Sequence, residues 1–392
     1  MDFTFDSEQS DLKEAVRSLL ERAYGNSEAR RTVVATDPGF DEKTWSRLAG
    51  MGLLGLPFAE EHGGMGAGPI EVAIVAEEIG RVLAPEPFIE AVVLAGGLIA
   101  AVGTDEQKGD LLGAIAGGAT VPAFAHAEIG TRWSPSASAV TAVRAADGWT
   151  LTGVKEPVPH GARADVLVVS AVLPGEGASG GTGLFVVRGD APGLIRTGYR
   201  THDGTRAAHV RFDGTPATLL GGDGSAPAPD RTAVIERALA EARIAYSHEA
   251  IGAMDTALRT TAGYLTTRKQ FGVTLNRFQA LTFRAADMYV SLELARSTAL
   301  WASMVQGAGG DVVSAADRTR LQSSRAGRHI GQEAIQLHGG IGVTAEYEVG
   351  HYTSRLTAID HLLGDGDFAA ARLARTVGDR ETVDPMGAPY TG

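Results

Sequence analysis

Three regimes of hydrophobic and polar patterning succeed one another along the chain. From Asp6 to about Gly118 apolar residues recur at helical spacing, first as Leu12, Val16, Leu19 and Leu20 behind an Asp6-x-x-Gln9 capping box. Breaks at Gly50-Met-Gly52 and His62-Gly-Gly64 divide this stretch into several helices. Between about Val121 and Gly222 the period shortens to the alternation of strands, punctuated by Gly, Pro and Asp. Strands are expected near residues 139–144, 149–154, 165–172, 183–187 and 208–212. Gly175 to Gly181 has no periodicity and is expected to be a surface loop. After Pro229 no proline occurs until Pro385, so long helices can run uninterrupted. Ile244, Ile251, Met254, Leu258 and Leu265 form the apolar stripe of one helix ending at Arg268. Others are expected over 278–305, over 313–336 and from 347 to 363 or beyond.

This order predicts a mainly α protein with a central β-domain. An N-terminal helical domain covers 1–120, a small β-barrel-like domain 121–228, a C-terminal four-helix bundle 229–378, and a tail 379–392.

Composition narrows the function. The 392 residues suffice for two or three domains with a large core. A formal net charge of -12 without clustered Lys and Arg argues against a nucleic-acid partner. The absence of cysteine excludes disulfides, thiolate metal sites and a Cys nucleophile. The ten histidines are scattered without the spacing of metal ligands, so no metal site is expected. The start, Met-Asp-Phe-Thr-Phe-Asp, lacks a basic region followed by an apolar core, and no apolar run reaches the roughly 18 to 20 residues of a membrane span. A cytoplasmic protein with no membrane partner is expected.

Two segments carry chemistry. The first is Arg268-Lys-Gln-Phe-Gly272 with Phe278-Gln279, and the second is Gln336-Leu-His-Gly-Gly-Ile-Gly342. Arginine is a bidentate donor for phosphate oxygens, and glycines let backbone N–H groups approach an anion. Singly, each residue has an ordinary structural explanation: Arg268 as a helix C-terminal charge, the phenylalanines as core, the glycines as a helix cap. Together they resemble the cofactor-clasping signature of the FAD-dependent acyl-CoA dehydrogenases. The stretch Gly52-Leu-Leu-Gly-Leu-Pro57 through Glu60-Glu-His-Gly-Gly64 is similar to that family too, and the resemblance runs through most of the chain as far as Gly378. The branch resembled most includes the pimeloyl-CoA dehydrogenase small subunit and heteromeric steroid-degradation acyl-CoA dehydrogenases, through Phe-Gly-x-x-Leu, Gly-Gly-Ile-Gly and Glu346-Tyr-Glu-Val-Gly-His-Tyr352.

The resemblance implies the acyl-CoA dehydrogenase fold, FAD as cofactor, an acyl-CoA substrate, an electron-transfer flavoprotein or similar acceptor, and a homo-oligomer or a hetero-oligomer with a related chain. It implies that Arg268, Gln270, Phe271, Phe278, Gln279, Gln336, His338, Gly339, Gly340 and Gly342 hold the distal end of FAD, with Arg268 and Phe271 directed at the cofactor of a neighbouring subunit. His338 also has the simpler reading of a satisfied loop histidine.

Elsewhere the chain departs from the family. Where relatives carry Lys-x-Trp-Ile-Thr/Ser against the flavin ring, this chain reads Lys155-Glu-Pro-Val-Pro-His-Gly161, with Pro157 for the Trp and Pro159 for the Thr. The loop Ala127-Glu128-Ile-Gly-Thr-Arg132-Trp133 keeps only Glu128 and Gly130 of the family's pattern, and Arg132 and Trp133 are candidate replacements. The catalytic glutamate of the last bundle helix falls in Ile359-Asp-His-Leu-Leu-Gly-Asp365, on a leucine or a glycine beside Asp365. The alternative family position falls on Ala242, next to Glu241 and about 100° away around the helix. Three readings therefore stand: Glu241 as base, Asp365 as base, or no base in this chain, which would make it a degenerate partner subunit of a heteromeric dehydrogenase.

Overall fold

The computed structural model describes residues 4–145, 148–175, 180–222 and 228–379. Most of the loop expected at Gly175 to Gly181, and the tail from 380 onward, lie outside the described residues. Tertiary contacts group the chain into two compact units, one of 1–32, 69–84 and 243 onward, the other of 33–68 and 85–242.

The first unit is helical. It contains α1 (Ser7–Tyr24), α4 (Pro69–Val82), most of α7 (Thr232–Thr267), then α8 (Gln279–Gly307), α9 (Val312–His338), α10 (Val349–His361) and α11 (Gly366–Arg375). The capping box read at Asp6 and Gln9 is formed in both directions. Helix α4 meets α7 backbone to backbone through two glycines: a Cβ on Gly80 would lie 1.9 Å from the Glu249 carbonyl oxygen, and one on Gly252 1.9 Å from that of Glu77. Buried ion pairs join the helices where aliphatics leave off, Arg355 with Glu249 at 2.6 Å and Arg243 with Asp317 at 2.8 Å. The expected fourth helix ends early, at His361. Leu363 and Gly364 take positive φ there, and Asp365 starts α11 afresh.

The second unit holds α3 (Glu42–Gly50), α5 (Gly97–Val102), α6 (Asp105–Ala116), an eight-residue π-helical stretch, Ile89–Gly96, and a seven-stranded mixed sheet. Its strands are β1 (Pro122–Ala125), β2 (Thr141–Ala145), β3 (Gly148–Pro159), β4 (Val166–Val172), β5 (Thr182–Arg188), β6 (Leu194–Arg200) and β7 (Arg206–Leu219). The pairings β4-β2-β3-β7-β5 return to β4, which closes a barrel; β1 extends it beside β4 and β6 beside β7. Inward residues such as Leu151, Val169, Phe185 and Phe212 fill the interior. All five expected strands are present. Pattern alone missed β1, too short to alternate, and β6, whose residues are mostly exposed and carry no apolar face. Helix α2 (Ser27–Ala35) crosses the division between the units.

Candidate functional site

The two motif segments lie side by side in the helical unit. Helix α7 stops at Thr267, and a two-residue hairpin follows, β8 (Lys269–Gln270) against β9 (Val273–Thr274). Its tip is Phe271-Gly272, both with positive φ, 52° and 81°, the combination that a tight hairpin turn requires. Glycine adopts this readily, whereas a phenylalanine there is strained. Phe271 is 91% exposed and meets Phe278 edge-on, ring centroids 6.1 Å apart. A strained, exposed aromatic is a candidate for a role other than folding. Arg268 is exposed and makes no ion pair or side-chain hydrogen bond with any described residue, while its carbonyl accepts the Leu275 N–H at 2.9 Å and closes the hairpin base. Gln270 and Gln279 are exposed as well.

The second segment ends α9. Gln336 is exposed, and Gly339 breaks the helix at φ 65°. Space is open where a Cβ would stand on Gly339 or Gly340, whereas a Cβ on Gly342 would lie tight against the Ile335 carbonyl oxygen at 3.0 Å. His338 joins the segments. Its Nδ1 lies 2.7 Å from the Ala334 carbonyl oxygen, an acceptor, so Nδ1 carries the proton and the buried Nε2 has no partner. Burial holds its pKa below the usual histidine value. The ring is flanked by Tyr264 of α7 at 4.5 Å and Tyr347 at 4.9 Å, so it fastens the last turns of α7 to the end of α9. The aromatic pair around this histidine went unnoticed in the sequence because its members are widely separated there.

Each candidate base has a partner within the chain. Glu241 accepts from Arg237 Nε at 2.9 Å; burial raises its pKa and Arg237 opposes the rise. Its neighbour Ala242 is fully buried. Asp365 is the N-cap of α11, accepting the Phe368 N–H at 2.7 Å. The turn before it is gripped by the buried Arg320 of α9, which donates to the carbonyls of Ile359, Leu362 and Gly364. Asp360, the other carboxylate here, bonds Ser324 and Arg328.

In the β-unit the corresponding residues turn inward. Lys155, with no exposed surface, donates to the His126 carbonyl at 3.0 Å, Glu128 Oε1 at 2.6 Å and Ser170 Oγ at 2.9 Å. Glu128 also takes the N–H groups of Ser138, Ala139 and Val140. Burial alone would raise the Glu128 carboxyl, but the Lys155 ammonium and these hydrogen bonds outweigh it and hold the carboxyl at about 2. Burial draws Lys155 down to about 8, which leaves it charged at neutral pH. The proton order follows: His126 Nε2 faces the Ser134 carbonyl and must donate, so Nδ1 accepts from Ser170, which in turn accepts from Lys155. Just beyond, β3 bulges between Lys155 and Val158; Pro157 is exposed and Pro159 half-buried. Neither has an N–H or hydroxyl to donate. Arg132 lies over the Trp133 ring at 5.6 Å, so the two candidate replacements engage each other. Among the described residues no group of three or more His, Asp or Glu is placed to hold a metal ion.

Comparison with known proteins decides the family. Residues 6–119 match the acyl-CoA dehydrogenase N-terminal domain and residues 232–378 its C-terminal domain. The human mitochondrial short-chain specific acyl-CoA dehydrogenase is 30% identical over 326 residues, 80% of this chain and 77% of that one. The chain belongs to the acyl-CoA dehydrogenase family. The acyl-CoA dehydrogenase FadE27 of Mycobacterium tuberculosis is 28% identical over 97% of this chain and 99% of its own length. Among solved structures, a variant of the Tcur3481-Tcur3483 steroid acyl-CoA dehydrogenase superposes with a TM-score of 0.85 at 33% identity, covering 95% of this chain and 98% of that one.

The family's work is the FAD-dependent dehydrogenation of acyl-CoA, an oxidation of a CH–CH bond. This acyl-CoA dehydrogenase chain fits FAD at one end. A free exposed guanidinium, an outward aromatic tip and open glycine backbone suit a pyrophosphate and its adenosine. In its β-unit Pro157 and Pro159 offer neither an aromatic face nor a donor.

Proposed function

We propose that this chain works as one subunit of a heteromeric acyl-CoA dehydrogenase, clasping the distal end of FAD while a related chain supplies the flavin-ring contacts and the base. The observation that carries this reading is the contrast between an intact outward clasp at Arg268 to Gln279 and Gln336 to Gly342, and the prolines at 157 and 159. When bound, FAD supplies the hydride acceptor for a reaction in which a base removes the α-proton. This chain's contribution is to neutralise the pyrophosphate with Arg268, to allow it close approach over the open backbone of Gly339 and Gly340, and to cover the cofactor with Phe271. Exposed apolar residues support a second chain: Phe283, Val290 and Leu294, spaced along one face of α8, are each more than half exposed. The relative named for two chains, Tcur3481 and Tcur3483, supports a pair of unlike subunits and a bulky acyl group. A flavoprotein is the fitting electron acceptor. No helix among the described residues is long and apolar enough to cross a membrane.

The second reading is a homomeric enzyme with Glu241 as base, favoured by the raised pKa of that carboxyl. Expression alone and together with a related chain separates the two. The heteromer is expected to be yellow, with one FAD per unlike pair, and this chain alone colourless. In the heteromer Glu241→Gln and Asp365→Asn should leave turnover within about twofold, against the hundredfold or greater loss from removing a general base. A yellow, active homo-oligomer inactivated by Glu241→Gln would replace the first reading with the second.

A further inference from the structure

Residues of α1, α4, α7 and α10 and the start of α2 line a cavity of about 720 Å³ in the helical unit. None of the clasp residues lines it. Its volume is that of a site for a small organic ligand. Four arginines line it, Arg22, Arg30, Arg81 and Arg259, against two carboxylates, Glu21 and Glu348. That local excess of positive charge runs against the chain as a whole, whose net charge is -12. Two of the four arginines are held by the fold. Buried Arg30 donates Nε to the Leu83 carbonyl at 2.6 Å, and Arg81 donates to Glu21 at 2.7 Å. The other two are open. Exposed Arg22 makes no hydrogen bond or ion pair with any described residue. Arg259 gives Nε to Asp255 at 2.7 Å and its two terminal nitrogens to no described residue. Like charges gathered around one cavity repel, so two open guanidinium forks there are explained by an anion better than by folding. Ser27, the first residue of α2, also lines the cavity, and its hydroxyl has no partner among the described residues. A helix start adds to the attraction for an anion.

We propose that this cavity binds a small organic phosphate carrying a hydroxyl group, the class of the nucleotides and sugar phosphates. A carboxylate has two oxygens and is satisfied by one guanidinium, whereas a phosphate monoester presents three oxygens and nearly two charges to both Arg22 and Arg259. The volume leaves room beyond the phosphate, and Val82, Leu83 and the ring of Tyr24 give that part an apolar wall. Glu348 accepts from Thr260 Oγ1 at 3.1 Å through one oxygen, and its other oxygen has no partner among the described residues. A carboxylate is an acceptor only, so what meets it must bring a donor, which a sugar hydroxyl does.

The test is calorimetric titration of the full chain with adenosine 5′-monophosphate, ribose 5-phosphate and inorganic phosphate, repeated in Arg268→Ala because the clasp also suits a phosphate. At least one of the two organic phosphates should bind once per chain, about tenfold or more tightly than inorganic phosphate, with an affinity that Arg268→Ala leaves unchanged. Arg22→Ala and Arg259→Ala should each weaken that binding about tenfold or more. Their unfolding temperatures should stay close to the parent's, because Arg22 loses no partner and the Arg259 pair with Asp255 is a surface one. Binding that is lost in Arg268→Ala and retained in Arg22→Ala puts the phosphate at the clasp and overturns the inference. Equal binding of inorganic phosphate overturns it, and so does the failure of both organic phosphates to bind at millimolar concentration.

Discussion

Arg268 and Lys155 are the two cations that the family resemblance singles out, one in each compact unit, and the chain treats them in opposite ways. Arg268 is exposed at the base of a strained hairpin and has no side-chain partner of its own. Lys155 has no exposed surface and gives its three protons to three acceptors. A group saturated by its own chain has nothing left for a ligand, while one left unsatisfied at a strained turn has a use that folding does not explain. The proposed clasp is therefore a place left open to a ligand, and in the β-unit Lys155 and Glu128 form a structural pair.

The largest expected effect breaks that pair. Lys155→Met leaves the Glu128 carboxylate buried without its cation and should cost about 3 to 5 kcal/mol in urea unfolding. It should also change the acid response. The folded Glu128 carboxyl lies at about 2, below its ordinary value of 4.5. Its stabilisation is thus complete above about pH 4.5 and disappears as pH falls toward about 2, a slope that should flatten in the variant. A cost below about 1 kcal/mol would mean that the amide N–H groups of Ser138 to Val140 suffice to hold the charge.

Next comes Arg268→Ala. A charge-assisted bidentate contact is worth about 1.5 to 3 kcal/mol, so FAD should bind the heteromer about tenfold or more weakly in fluorescence titration. Stability of the cofactor-free protein should be unchanged, since no internal partner is lost. A folded variant with unaltered FAD affinity would remove Arg268 from the clasp. A variant that unfolds more readily would make Arg268 structural, as Lys155 is.

Much of this was legible in the sequence, and where it was not, the reason is physical. Long proline-free helices declared themselves through period: α8 and α9 begin and end within a few residues of expectation, and α7 ends one residue before Arg268. The candidate clasp stood out in the sequence through its resemblance to the family's motif, whose residue types suit phosphate chemistry. The bond from Arg320 to the turn at Ile359 to Gly364 was not, because a buried arginine reads on the page like any surface charge. Nor was the Lys155 cluster, since Ser170 lies on β4 and His126 just past the end of β1, and the two meet only through the pairing of β1 with β4.

The smallest effect sharpens the comparison most. Phe271 holds φ 52° at the hairpin tip, a conformation that costs a bulky residue about 1 kcal/mol and that asparagine accepts readily. Asn-Gly is also the preferred pair for such a turn. Phe271→Asn should therefore raise stability by about 0.5 to 1 kcal/mol while weakening FAD binding, because the exposed ring is lost. A structural aromatic would show the reverse, a loss of stability with cofactor affinity intact. If both quantities fall together, the edge-on contact with Phe278 supports the hairpin more than the turn strains it, and the tip belongs with the saturated group that Lys155 exemplifies.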